Sequence, residues 1–199
     1  MVADDPTIAT THLRMCARFG RVVSEVDGRW ERPSPCAGWD ARAVLEHVIG
    51  FHDVLLLRPL DAKPARPQHD PERRWSLTLT ALRAVLQRPG LFDGVVEVPA
   101  LGDLAPTRID ARRLVPALSQ DVLVHTWDLA RAVGVNDRLD PALCKLFLDA
   151  LPEDPGALTH TGMYDAPVAI DARAGAQAQL LARLGRDPAW TRANWLTRP

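Results

Sequence analysis

The chain has 199 residues, of which 47% are hydrophobic and 25% are charged, and its formal net charge is -1. This length and composition are typical of a globular protein that can bury a hydrophobic core without the help of disulfides or structural metals. The near-neutral charge excludes an overall field that would attract nucleic acid or a membrane surface, so we expect neither as a partner.

Cysteine usage and the N-terminus indicate the cellular compartment. Cys16, Cys36 and Cys144 are widely spaced and form no Cys-x-x-Cys pair, so the sequence does not predict a thiolate zinc site. A sparse, odd set of cysteines suits a reducing compartment. Because the segment MVADDPTIAT is acidic and polar, we do not expect it to be a signal peptide, and no run of about eighteen apolar residues exists. We therefore expect a cytoplasmic protein without a membrane span.

Apolar residues recur mostly at helical spacing in the first half of the chain. The pattern predicts a first helix over about residues 7–27. Asp40 is a good N-cap for a second helix over about 40–59. Asp70, followed by a proline, opens a third helix over about 70–88.

Residues 91–110 show a different pattern. The stretch VVEVPALGDLAPTRID combines β-branched residues with turn formers, and it predicts a small hairpin or an irregular crossover. A fourth long helix follows and runs to about residue 133. It begins either near Asp110 or at Pro116, and the sequence leaves both starts open.

The residues after the fourth helix predict a short helical tail. We expect a helix over about 140–150, then a stretch with little periodicity, and a last helix over about 171–185. Four long helices with short to medium connections are typical of an all-α four-helix bundle. We therefore expect residues 1–199 to form a single domain, with the bundle over about 7–134 and the tail over about 135–199.

The fourth helix carries two polar residues within an apolar stripe. At about 100° per residue, one narrow arc of this helix holds Leu114, Leu118, Asp121, His125, Leu129 and Ala132. A carboxylate and an imidazole on such a face are costly unless they pair or bind a metal. Asp121 and His125 are four residues apart, which is the spacing of a metal-chelating pair and equally that of a plain hydrogen-bonded pair.

A third ligand would have to come from the second helix, which offers two histidines. His47 lies at the edge of the apolar stripe of that helix, and His52 lies nearer its centre. The two side chains point about 140° apart at the helical step. Only one of them can easily join Asp121 and His125, and spacing alone does not choose between them.

Two motifs and the tail resemble the DinB and mycothiol-dependent maleylpyruvate isomerase N-terminal superfamily. The motifs are PCAGWDARAVLEHVIG at 35–50 and DVLVHTWDLARAVG at 121–134, and the tail stretch is LLARLGRDPAW at 180–190. The first combines Pro-Cys, Gly-Trp, a cap residue and a helix with a histidine. The second has an acid four residues before a histidine, followed by Trp-Asp-Leu-Ala. The resemblance implies a DinB-like four-helix bundle with a divalent metal, usually zinc, at one end of its core.

The resemblance also implies a ligand set. If the family's ligands are carried over residue by residue, His47 is the ligand from the second helix, and Asp121 and His125 are the pair from the fourth. The resemblance therefore favours His47 over His52 as the third ligand. The isomerase itself has glutamate where Asp121 stands. It also continues into a larger C-terminal domain, whereas about 65 residues follow the fourth helix here.

The implied activity is that of a metal-dependent enzyme of thiol-transferase or isomerase type. Its substrate would be a small molecule, with a low-molecular-weight thiol as co-substrate. Three protein ligands leave one coordination position open, where a thiol would be deprotonated or a water activated. Activation of a water would instead make the protein a metal-dependent hydrolase. The shorter Asp121 favours another alternative, a non-catalytic binding protein that has lost metal. Family members often form dimers, so a homodimer is a further expectation.

Other polar residues near the motifs have two interpretations each. Asp128 lies three residues after His125. It either accepts a hydrogen bond from an imidazole or is simply a solvated aspartate. Cys36 precedes a helix N-terminus, where a thiol pKa can fall, although buried packing is the main expectation. We expect packing for Trp127 and a surface salt bridge for Arg131. The histidines expected to be solvated are His12, His69 and His160.

Overall fold

A computed structural model describes residues 5–100, 105–154, 156–159 and 164–193, and these residues are mostly helical. The described elements are α1 (Asp5–Ser24), α2 (Ala41–His52), α3 (Pro71–Leu86), β1 (Val95–Val98), β2 (Thr107–Asp110), α4 (Ala111–Val133), α5 (Pro141–Ala150), α6 (Gly156–Thr159) and α7 (Ala176–Arg183). A π-helical segment extends α2, and a 3-10 turn precedes β1; they span Asp53–Leu57 and Leu91–Asp93. The expectation of a mostly helical fold is confirmed.

Aspartate caps set the starts of the two helices that carry the candidate ligands. The Asp40 side chain accepts a hydrogen bond from the backbone N–H of Ala43 at 2.7 Å, so α2 begins where the sequence predicts. The Asp110 side chain accepts one from the N–H of Arg112 at 2.7 Å. The helix α4 therefore begins at the earlier of the two predicted starts, and Pro116 lies inside it.

Two predicted helix limits are wrong. The first helix ends at Ser24, because Asp27 and Gly28 have positive φ angles of 49° and 72° and leave the helical conformation. The last helix begins at Ala176 instead of residue 171. Its predicted first residue, Asp171, closes a turn by accepting a hydrogen bond from the backbone two residues on, at 2.8 Å.

The predicted hairpin is present as a small antiparallel sheet. Val95 lies opposite Asp110 and Val98 opposite Thr107 in the β1–β2 register. Val96 and Val98 are buried, and β1 contacts the π-helical segment after α2. Residues 101–104 between the strands lie outside the described residues.

The helix α4 lies at the centre of the packing. Each of its residues from Asp121 to Ala130 is buried. It contacts α1 and α2, and both of these also contact α3, so the four longest helices share one apolar core. Within the described part of the chain, no helix has the length and apolar character needed to cross a membrane.

Gly20 on α1 provides a test of this packing. A Cβ at Gly20 would lie 2.8 Å from Nε1 and 3.2 Å from Cδ1 of Trp75, which is buried in α3. We expect Gly20→Ala to lower the free energy of unfolding by about 1–3 kcal/mol, because overpacking outweighs a gain of about 1 kcal/mol in helix propensity. Urea denaturation measures the change. The control is Gly50→Ala in α2, where nothing lies within 4 Å of the added Cβ; equal stability of the two variants would contradict the prediction.

Candidate metal centre

The loop before α2 folds back onto the start of that helix and forms one wall of the candidate site. Pro33 pairs with Asp40 in an isolated β-bridge. The ring of Trp39 consequently lies beside both candidate imidazoles, with its centroid 4.8 Å from that of His47 and 5.8 Å from that of His125. The Gly-Trp part of the first motif therefore supplies an aromatic partner for the histidines.

His47, Asp121 and His125 meet where α2 packs on α4. Oδ1 of Asp121 lies 3.3 Å from Nε2 of His47 and 3.4 Å from Nε2 of His125. The two imidazole rings meet edge-on, with centroids 4.7 Å apart. The structure thus brings together the three residues that the resemblance names as ligands, with their ligand atoms all within 4.8 Å of one another.

Opposite charges hold this cluster together inside the core. The side chains of Asp121 and His125 are 10% and 6% exposed, whereas that of His47 is 30% exposed. Burial by itself raises the pKa of Asp121, but the charge of His125 and hydrogen bonds from both histidines lower it below its ordinary value. Burial by itself lowers the pKa of His125, but Asp121 raises it well above its ordinary value. Without a metal ion, these pKa shifts favour an ionised Asp121 beside a protonated His125.

Asp128 lies against the other edge of the His125 ring. Its Oδ2 is 2.9 Å from Nδ1 of His125. The same oxygen accepts hydrogen bonds from the Cys36 thiol at 3.2 Å and from the Arg186 guanidinium at 3.4 Å. Burial raises the pKa of Asp128, but Arg186 and then His125 lower it below its ordinary value. This carboxylate orients His125 so that Nε2 faces Asp121.

Cys36 is held in this network and is not activated by it. The Arg186 guanidinium donates to its Sγ at 3.3 Å. Burial and the adjacent Asp128 charge raise the pKa of the Cys36 thiol. The lowered pKa considered from its place before a helix N-terminus is therefore wrong, because the neighbouring carboxylate and burial outweigh the helix end.

The cluster opens onto a cavity of about 410 Å³. Its walls combine aromatic and charged groups, among them Trp39, Phe51, Tyr164 and Arg186. The Tyr164 hydroxyl accepts a hydrogen bond from the Gln120 side chain at 3.1 Å. A cavity of this size, lined in this way, suits a small molecule.

The donor set fits a divalent metal ion. A carboxylate oxygen and two imidazole nitrogens are zinc ligands, and bonds of about 2.1 Å at a tetrahedral centre separate neighbouring ligand atoms by about 3.4 Å. The distances from Asp121 to His47 and His125 match this separation. In addition, Oδ2 of Asp121 is buried and has no hydrogen-bond partner among the described residues, a cost that a cation would offset.

Trp39, Tyr164 and Arg186 are among the cavity residues that the sequence analysis does not identify as site residues. Trp39 has a local signal, since it stands directly before the N-cap of α2 in the quoted motif. Tyr164 and Arg186 come from the segment after α4, and Arg186 lies 58 residues from its partner Asp128. Arg186 stands in the quoted tail stretch 180–190, but no periodicity connects it with a residue at such a separation.

The other histidines occupy three environments. The expectation that His12 is solvated is wrong, because it is 0% exposed and its Nε2 lies 3.2 Å from Nε2 of His52. His52 is also fully buried and is not part of the His47 cluster. His69 is exposed, as predicted. His160 lies outside the described residues.

Two side chains near the end of α4 have the expected packing and ion-pair contacts. Trp127 is buried in the core. Arg131 lies 5.4 Å from the centroid of the Trp127 ring, and its Nε is 2.6 Å from a carboxylate oxygen of Asp137. Neither side chain lines the cavity.

The fold and the cluster define a class of helical proteins that can hold a divalent ion between two neighbouring helices. Residues 12–130 match the family described as mycothiol maleylpyruvate isomerase N-terminal domain. The chain therefore belongs to this family, and the resemblance seen in the two motifs is confirmed. The matched range includes His47, Asp121 and His125.

The chain is similar to two curated proteins from one bacterial species. The chain is 28% identical over 143 residues to uncharacterised proteins of Mycobacterium tuberculosis, from the strains CDC 1551 and H37Rv. The matched segment covers 70% of this chain and 73% of each relative. No solved structure matches the chain significantly.

The contact between Asp128 and His125 predicts an effect on metal binding. We expect Asp128→Asn to weaken zinc binding at the His47 cluster about 10- to 100-fold, because the carboxylate that orients His125 loses its charge. Competition with a chelator measures the affinity. Asp137→Asn is the matched control, since it removes a paired carboxylate that does not touch His125. Equal weakening in both variants would contradict a specific role for Asp128.

Proposed function

We propose that the chain is a metal-dependent enzyme of the DinB-like superfamily in which His47, Asp121 and His125 bind one divalent ion, most simply zinc. The observation that supports this proposal is the meeting of three donor side chains at the wall of a cavity. We further propose that α1–α4 form a DinB-like four-helix bundle, and that the whole chain is one domain. The mutual contacts of these helices support the bundle.

Thiol transfer or thiol-dependent isomerisation is the chemistry we propose. When bound, the ion would supply an open coordination position that holds a low-molecular-weight thiol as its thiolate. The chain's own residues bind the substrate and orient the metal ligands. Asp128 lies against the ring of His125 and is itself paired with Arg186, while Trp39 and Phe51 cover the cluster on the cavity side.

The cavity supports a small-molecule partner. Its volume of about 410 Å³ matches a substrate of modest size. The Tyr164 hydroxyl lies at its wall and can donate a hydrogen bond to a polar group of that substrate. We propose no nucleic-acid or membrane partner, a cytoplasmic location, and a homodimer formed through helix faces.

A non-catalytic binding protein without metal is the rival function. The aspartate at position 121 favours it, because aspartate is one methylene shorter than the glutamate of the isomerase. Two distances weigh against the rival: Oδ1 of Asp121 lies 3.3 Å and 3.4 Å from the two imidazole nitrogens. The shorter side chain therefore reaches the point that a shared ion would occupy.

Metal content tests the ligand set. We expect His47→Ala to lose one equivalent of bound zinc relative to the unaltered chain, because it removes one of three donors. His69→Ala is the matched control, since His69 is exposed and belongs to no candidate metal cluster among the described residues. Elemental analysis of the purified proteins measures the content. Unchanged zinc in His47→Ala would refute the ligand set.

Thiol consumption tests the activity. The zinc-loaded chain is incubated with low-molecular-weight thiols and electrophilic small molecules, and the remaining free thiol is titrated. We expect consumption that requires both thiol and metal, that falls at least tenfold in His47→Ala and that persists in His69→Ala. Turnover of esters or amides without thiol would identify a hydrolase instead. Absence of both bound zinc and turnover would favour the binding protein without metal.

A further inference from the structure

A second polar cluster lies in the core and is not used by the proposed function. His12 and Cys16 on α1 and His52 at the end of α2 are all 0% exposed. Ser119 on α4 is 2% exposed and completes the group. None of these four residues lines the cavity beside His47.

Hydrogen bonds to one nitrogen of each ring determine where its proton lies. Nδ1 of His52 is 2.6 Å from the carbonyl oxygen of Val48, which can only accept, so this nitrogen carries the proton. Ser119 Oγ donates to the carbonyl oxygen of Val115 at 2.7 Å and therefore accepts from Nδ1 of His12 at 2.9 Å. Both neutral rings are thus left with an unprotonated Nε2.

These two unprotonated nitrogens face each other at 3.2 Å. Their lone pairs repel when they point at each other, and the single proton of the Cys16 thiol can serve only one of them, Nε2 of His12 at 3.4 Å. A proton is disfavoured between the two nitrogens, because burial and then the neighbouring His52 lower the pKa of His12 well below its ordinary value, and burial lowers the pKa of His52. A metal ion removes the repulsion and uses both lone pairs.

The third donor lies at the right separation. Sγ of Cys16 is 3.4 Å from Nε2 of His12, and all three ligand atoms lie within 4.8 Å of one another. Zinc bonds of about 2.1 Å to nitrogen and 2.3 Å to sulfur place neighbouring ligand atoms at a tetrahedral centre about 3.4–3.6 Å apart. The side chains therefore need little movement to surround one ion.

We propose that His12, Cys16 and His52 bind a second metal ion, a thiophilic d10 ion such as zinc or copper(I), within the core between α1 and α2. On binding, the Cys16 S–H bond breaks, its proton passes to solvent, and the thiolate sulfur bonds to the ion. One thiolate and two neutral imidazoles around copper(I) give no net charge, which suits a fully buried site. The site joins residues that lie 40 positions apart in the chain, His12 and His52.

A metal-free arrangement that also pairs Nε2 of His52 requires a different hydrogen-bond network, because the Cys16 thiol can donate only to Nε2 of His12. Ser119 would have to release the Val115 carbonyl and donate to Nδ1 of His12, so that Nε2–H of His12 could donate to His52. Cys16 would then keep its thiol proton, because burial raises its pKa and no ion replaces the proton. A thiolate at Cys16 therefore distinguishes the two arrangements.

Cobalt(II) binding detects that thiolate directly, because a cobalt–thiolate bond absorbs light. The full chain carrying Cys36→Ser and Cys144→Ser retains Cys16 as its one cysteine, since the sequence contains three. This variant leaves the proposed ligands intact, and refolding it with cobalt(II) prevents burial from blocking entry. We expect two equivalents of cobalt and a thiolate-to-cobalt charge-transfer band in the near ultraviolet. Elemental analysis of the same variant as purified distinguishes zinc from copper.

Two further variants assign the band to its site. Adding Cys16→Ser to the Cys36→Ser/Cys144→Ser variant is expected to remove the charge-transfer band and one equivalent of bound cobalt. Adding His47→Ala instead is expected to remove the other equivalent and to keep the band, so the two proposed sites fail independently. Absence of the band from the Cys36→Ser/Cys144→Ser variant, with native helix content by circular dichroism, would overturn the proposal. Persistence of the band after Cys16→Ser would overturn it as well.

Discussion

The candidate site depends on one carboxylate that faces two imidazoles across the α2–α4 interface. The surroundings are apolar, so an unpaired Asp121 or His125 would be costly there. Asp121 offsets this cost by lying 3.3 Å from His47 and 3.4 Å from His125. The pairing also fixes the position of one helix against the other, because a shift by one helical turn of about 5.4 Å would separate the three groups.

Residues after α4 complete this site. Arg186 follows Gly185, whose φ of 78° and close approach to Asp165 exclude a side chain. The guanidinium then reaches Asp128, which lies against His125. A segment 58 residues further along the chain thus neutralises the carboxylate that orients a candidate ligand. The tail therefore belongs to the site, although the family match ends at residue 130.

The sequence predicts the parts of the structure that local patterns control. Helical periodicity and aspartate caps locate the helices, and the spacing of Asp121 and His125 places both on one face. The family motif selects His47. Arg186 stands in the quoted tail stretch, but its contact with Asp128 could not be predicted in this way, because it joins distant segments. His12 did have a signal: it stands four residues after Ile8 and four before Cys16, on the buried face of α1.

The helix α2 presents one histidine to each of two clusters. His47 and His52 are five residues apart, so their side chains point about 140° apart, one toward Asp121 and the other toward His12. His47 is 30% exposed beside a cavity, which suits a ligand of an ion that exchanges small molecules. His52 is 0% exposed, which suits a contact that holds helices together. Because continuous helix joins the two, the packing of His52 in the core constrains where the imidazole of His47 can lie.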